Sequence, residues 1–181
     1  MRTIEPEPTS SRTKPTGITW PALRHRGFTA YGVVTPAEYM PTGSASYTGQ
    51  IAGEVWDGPS RTRNRRRMRS SNLTLNADFD QGSLDGTVTP LEASAPGTNT
   101  FAPLTGQSIT ITNGQITRSS FTADWQGNDP ANNPTASVGD FSGEMEGDFY
   151  GPGAAEVAGV WEGSDSRSET VAGGVFGGGQ Q

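Results

Sequence analysis

The 181 residues carry 31% hydrophobic side chains, enough for one domain with a core and too few for two, and the absence of cysteine excludes disulfides, thiolate metal sites and cysteine nucleophiles. With 25 glycines and 13 prolines the chain is too rich in turn formers for a helical protein, so short strands joined by tight turns are expected. The net charge of −6 hides an asymmetry, because residues 1–70 hold 11 basic and 5 acidic side chains and residues 71–181 hold 2 and 14, which excludes a uniformly basic nucleic-acid-binding face.

In chain order, residues 1–19 have almost nothing apolar to bury and read as a disordered arm. Residues 20–43 mix Trp20, Leu23, Phe28, Tyr31, Val33, Val34, Tyr39 and Met40 with Pro21, Pro36 and Pro41. Anchors without a period predict an irregular segment packed across the end of the following domain, with a short strand near Phe28 to Val34. The domain itself is assigned to residues 44–178. Its first strand is announced by Tyr47 to Val55, whose odd positions Tyr47, Gly49, Ile51, Gly53 and Val55 share one face. The run Arg61, Arg63, Arg65, Arg66, Arg67 and Arg69 follows, read as a rim loop joining the first two strands. Leu73, Leu75, Ala77 and Phe79, the turn Asp80-Gln81-Gly82, then Leu84, Gly86 and Val88 form the clearest hairpin.

Ser108 to Thr112 supplies Ile109 and Ile111, Asn113-Gly114 is a strong two-residue turn signal, and Ile116 to Trp125 returns. Arg118 breaks the phase of that return, so a bulge is placed near Ser119. Phe141, Met145 and Phe149 then alternate with Glu144, Glu146 and Asp148, and Val157 to Glu162 and Glu169 to Phe176 complete eight strands. Between the sixth and seventh, Gly151 and Pro152 lead into Ala154, Ala155 and Glu156, enough for one short helical turn before Val157 and Gly159 end it. The architecture expected is all-β: an eight-stranded antiparallel up-and-down barrel, closed so that Val171 to Phe176 is not a bare edge.

The string Gly147-x-Phe149-Tyr150-Gly151-Pro152-x-Ala154-x-Glu156-x-x-Gly159 resembles the last hairpin of the β-barrel domains of transferrin-binding protein B and related bacterial surface lipoproteins. Tyr31-Gly32-x-x-Thr35-Pro36 followed by Met40 to Gly49 looks like the approach to the first barrel strand in that group, and Val171 to Gly177 looks like the last strand. The resemblance implies a non-catalytic surface or secreted binding module, concerned with iron acquisition, that meets a protein or a heme-like ligand through rim loops. It places the module at the outer membrane surface or outside the cell, although the sequence as written shows neither an export signal nor a cysteine for a lipid anchor. The chain has room for one barrel and none for the handle domain of such lobes, so no partner-contact residue carries over. A monomer is expected.

Candidate chemistry is sparse. The six arginines are the strongest local charge feature, since guanidinium forks bind oxyanions bidentately, and they are assigned as partner-binding rim residues beside the loops Pro90 to Gln107 and Gln126 to Gly139. Glu144, Glu146 and Asp148 read as an exposed solubilising stripe. His25 is the only histidine, which leaves no nucleophile–base pair, no metal site and no expected cofactor. Trp20, Trp56, Trp125 and Trp161 are expected to plug barrel ends. Two other readings stay open: a structural barrel of a larger surface protein, and a lipocalin-like carrier, which would need a cavity where Ile51, Leu75, Phe79, Phe121, Met145 and Phe149 are expected to fill the lumen. No apolar stretch is long enough to cross a membrane as a helix.

Overall fold

Alternating apolar residues bury one face of each strand, and closing the sheet lets all those faces share one interior. The computed structural model describes residues 29–56, 65–129, 141–165 and 170–181. It contains β1 (Ser44–Trp56), β2 (Arg65–Asp78), β3 (Ser83–Val88), β4 (Leu91–Ser94), β5 (Phe101–Leu104), β6 (Ser108–Thr117), β7 (Ser120–Asn128), β8 (Phe141–Tyr150), β9 (Glu156–Asp165) and β10 (Val171–Gln180). Eight of these close an antiparallel ring in the order β1-β10-β9-β8-β7-β6-β3-β2, with β2 returning to β1. The expected barrel is therefore present. The hairpin β4–β5, absent from the expectation, hangs on the outer part of β2 through Met68 and Arg69.

The lumen is a packed core. Tyr47, Phe79 and Phe121 surround Phe149 with ring centroids 5.7, 5.2 and 5.5 Å away, and Phe176 continues the cluster 5.9 Å from Phe121. Trp125 and Trp161 meet edge to face at 5.7 Å, and each indole N–H donates to a strand carbonyl, Trp125 to Glu162 at 3.0 Å and Trp161 to Val175 at 3.3 Å. These two tryptophans sit inside the barrel. Trp56 is half-buried at the end of β1, and Trp20, His25 and the expected arm over residues 1–19 lie outside the described residues.

Three local expectations are corrected. Asn113-Gly114 does not turn the chain: it is a bulge within β6, where the register to β7 slips between Thr112 and Gln115, with Asn113 at φ 54°. The reversal comes at Arg118 (φ 57°) and Ser119, because Ser119 is tied on both sides: its carbonyl accepts from the Phe149 amide at 2.8 Å and its hydroxyl donates to the Thr35 carbonyl. Asn-Gly chemistry suits a left-handed residue in either setting, and tertiary bonds decide which. Second, β2 starts at Arg65, so Arg65, Arg66, Arg67 and Arg69 lie on a strand and not in a loop. A bulge at Ser71 and Asn72 flips the phase between Met68/Ser70 and Leu73/Leu75, which hides the alternation of the first half of the strand. Third, residues 29–34 make no strand; Val34 forms a single bridge to Tyr150.

Candidate functional site

Strand directions separate the barrel into two unlike ends. Three pairs of ring strands are joined at one end by tight connections, residues 79–82, 118–119 and 151–155. At the other end emerge the connections 57–64, 89–107, 129–140 and 166–170, of which 57–64, 130–140 and 166–169 lie outside the described residues.

The turn end is closed by the motif that carries the family resemblance. Gly151 takes φ 74°, Pro152 opens a 3-10 turn over Pro152–Ala154, and the buried Ala154 takes φ 60°. A left-handed non-glycine costs about 1 kcal/mol, and here the Ala154 carbonyl accepts the Tyr47 hydroxyl at 2.7 Å. Burial pushes the Tyr47 phenol up to about 12. Tyr150, buried next to Asp148, is raised too, chiefly by burial. Residues Val33 to Thr35 strap this end: the Gly151 amide donates to the Val33 carbonyl at 3.0 Å, the Thr35 amide to the Phe149 carbonyl at 2.9 Å, and the Thr35 hydroxyl to the Gly151 carbonyl at 2.6 Å. Glu156 starts β9, and a Cβ on Gly159 would lie 2.0 Å from the Glu146 carbonyl oxygen, so glycine lets β8 and β9 approach. The motif is thus a closure of the barrel.

At the loop end, alternation on β2 puts Arg65, Arg67 and Arg69 on the outer wall, and turns Arg66 inward opposite Val55 at the lumen mouth. Arg61 and Arg63 lie outside the described residues. Arg65 pairs with Glu54 at 3.5 Å. Arg67 donates from Nη1 to Asn99 Oδ1 at 2.6 Å, and its amide donates to Ser94 Oγ at 2.9 Å. Arg69 donates from Nε to Glu92 Oε2 at 2.7 Å and lies 4.0 Å over the Phe101 ring. The hairpin β4–β5 is therefore fastened to the wall by the arginines. Sequence reasoning missed this hairpin because its strands are four residues each and one contains Pro103; the Pro96-Gly97 turn between Leu91–Ser94 and Phe101–Leu104 was the available signal.

Directly across the ring from β2 stands β8, whose outer face carries Glu144, Glu146 and Asp148. Their register extends the acidic row to Asp124 on β7 and Glu162 on β9. Among the described residues no grouping of acidic or histidine side chains is placed to hold a metal ion.

A filled eight-stranded barrel with charged outer walls and its longer connections leaving from one end belongs to the class of small closed antiparallel barrels. The family model for the C-lobe and N-lobe β-barrels of Tf-binding protein B matches residues 40–180, and the chain belongs to that family. A crystal structure of a mutant transferrin binding protein B from Haemophilus parasuis Hp5 is similar at 22% identity with a TM-score of 0.53, over 81% of this chain and 29% of that one. The isotype 1 protein from serogroup B Neisseria meningitidis is similar at 24% identity and TM-score 0.50, over 83% and 28%. A protein titled a surface lipoprotein matches at 14% identity and TM-score 0.50, over 81% and 65%. The chain spans less than a third of the length of the first two. No curated protein sequence matches it.

Proposed function

We propose that the chain is a non-catalytic bacterial surface or secreted module that binds a protein partner, of the transferrin class or of another iron- or heme-carrying kind, through the loop end of its barrel. The observation that carries this reading is the division of labour between the ends: one is tied shut by the strap and the Gly151 turn, and the longer connections between ring strands leave from the other, where the arginine-bearing half of β2 lies. Loops on a rigid scaffold are where recognition concentrates. The partner class in this reading follows the transferrin-binding titles of the relatives, and the surface location is in keeping with the relative titled a surface lipoprotein. The filled lumen, with Leu75 and Phe149 fully buried, argues against a lipocalin-like carrier.

The test is capture from serum and from culture fluid on the immobilised barrel, beside a variant with Arg61, Arg63, Arg65, Arg66, Arg67 and Arg69 changed to Ser and its folding verified by circular dichroism. A partner held by the parent and released by the folded variant supports the reading. Capture by neither supports a purely structural barrel.

A further inference from the structure

We infer that the outer wall of β2 is a docking surface for an extended acidic polypeptide segment with carboxylates at alternate residues. This deepens the loop-end reading by naming the chemistry of the partner, and it is tested without that partner in hand. Arg65, Arg67 and Arg69 recur every second residue of one strand, a repeat of about 7 Å. An extended segment with acidic residues at alternate positions has the same repeat. The chain itself shows what such a segment looks like, since β8 carries Glu144, Glu146 and Asp148 on one face.

The guanidiniums are held ready. Asn99 and Glu92 each take one guanidinium N–H, of Arg67 and Arg69 respectively, out of about five such donors, and Glu54 forms an ion pair with Arg65 at 3.5 Å. Fixing the side chains in advance lowers the ordering cost of docking, and the remaining donors can form charge-assisted bonds. The wall is also mixed, three outward arginines among Glu54 and Glu92. A nucleic acid or sulfated glycan brings charge at every unit and would press part of it onto those carboxylates. An alternating acidic strand brings charge at the arginine repeat and neutral side chains between.

The experiment titrates the whole chain, at low and at physiological salt, with a synthetic Thr-Glu alternating peptide, with an isomer of the same composition whose glutamates are contiguous, and with heparin. The alternating peptide is expected to bind at least about tenfold more tightly than its isomer, and Arg65→Gln/Arg67→Gln/Arg69→Gln to abolish the preference. Glu92→Gln, which removes a competing carboxylate, is expected to tighten binding by about two- to threefold, an effect that a merely structural role of the arginines does not produce. Equal binding of the two peptides, preference for heparin, or no binding of either peptide overturns the proposal. So does concentration-dependent self-association of the parent that the arginine variant loses, which would assign the wall to a second copy. Loss of fluid capture with peptide binding intact would instead remove the loop-end reading alone.

Discussion

Tyr47 is 1% exposed and its hydroxyl reaches the carbonyl of a residue held at positive φ. Replacing it with Phe leaves that carbonyl unpaired in the interior, and Tyr47→Phe is expected to cost about 1–3 kcal/mol in denaturant titration. The phenol also sets a pH limit. Its proton is held more tightly in the folded state than at the ordinary value of 10.0, so its contribution is complete below pH 10.0 and is lost as pH rises toward about 12. Unfolding free energy measured across that window should fall in the parent and fall less in Tyr47→Phe. Glycines separate just as sharply. Gly159→Ala drives a methyl to 2.0 Å from the Glu146 carbonyl oxygen and should cost more than about 3 kcal/mol. Gly179→Ala meets nothing within 4 Å, and thermal melts should show it neutral or stabilising by up to about 1 kcal/mol.

Two described segments outside the ring are bonded to it, the strap and the β4–β5 hairpin. Thr35 is 1% exposed although it belongs to no strand, and it joins the turns at Gly151 and Ser119. Thr35→Ala should destabilise by about 1–2 kcal/mol and speed amide exchange at Gly151 and Phe149, read by mass spectrometry. For the hairpin, Arg67→Ala removes the bond to Asn99 and should speed exchange between Ser94 and Phe101 with the ring amides unchanged; equal exchange would mean that Arg67 does not fasten it. These elements also mark the limit of the sequence's legibility. Lumen positions such as Leu73, Leu75, Ala77 and Phe79 announce themselves because alternation reflects burial on one face. Arg65 to Ser70 conceal the same alternation: the buried member of a pair is Ser70, the exposed members are long cations, and a bulge then shifts the phase. At Asn113-Gly114 the local signal was real, and the choice between turn and bulge lay with Ser119 and Thr35, remote in sequence. The arginine run was visible as a charge feature, whereas its hold on Glu92, Asn99 and Phe101 exists only once β4–β5 folds back.

At the scale of the whole molecule the barrel is apolar within and polar without. Outward residues on β7 and β8 include Asp124, Glu144 and Glu146, and inward ones Phe121, Trp125 and Met145. A transmembrane barrel has the opposite arrangement, with an apolar band facing lipid. The folded domain should therefore stay in the aqueous phase when floated with phosphatidylcholine vesicles, and co-flotation would contradict that assignment. The two ends of the ring are unequal in another respect. β1 begins and β10 finishes at the turn end, where the Gln181 amide donates to the Ser46 carbonyl at 3.0 Å. A tether attached to either flank of the domain thus pulls from the strapped face, and the loop-bearing face points away from whatever holds the tether, as a lamp head points away from its stand.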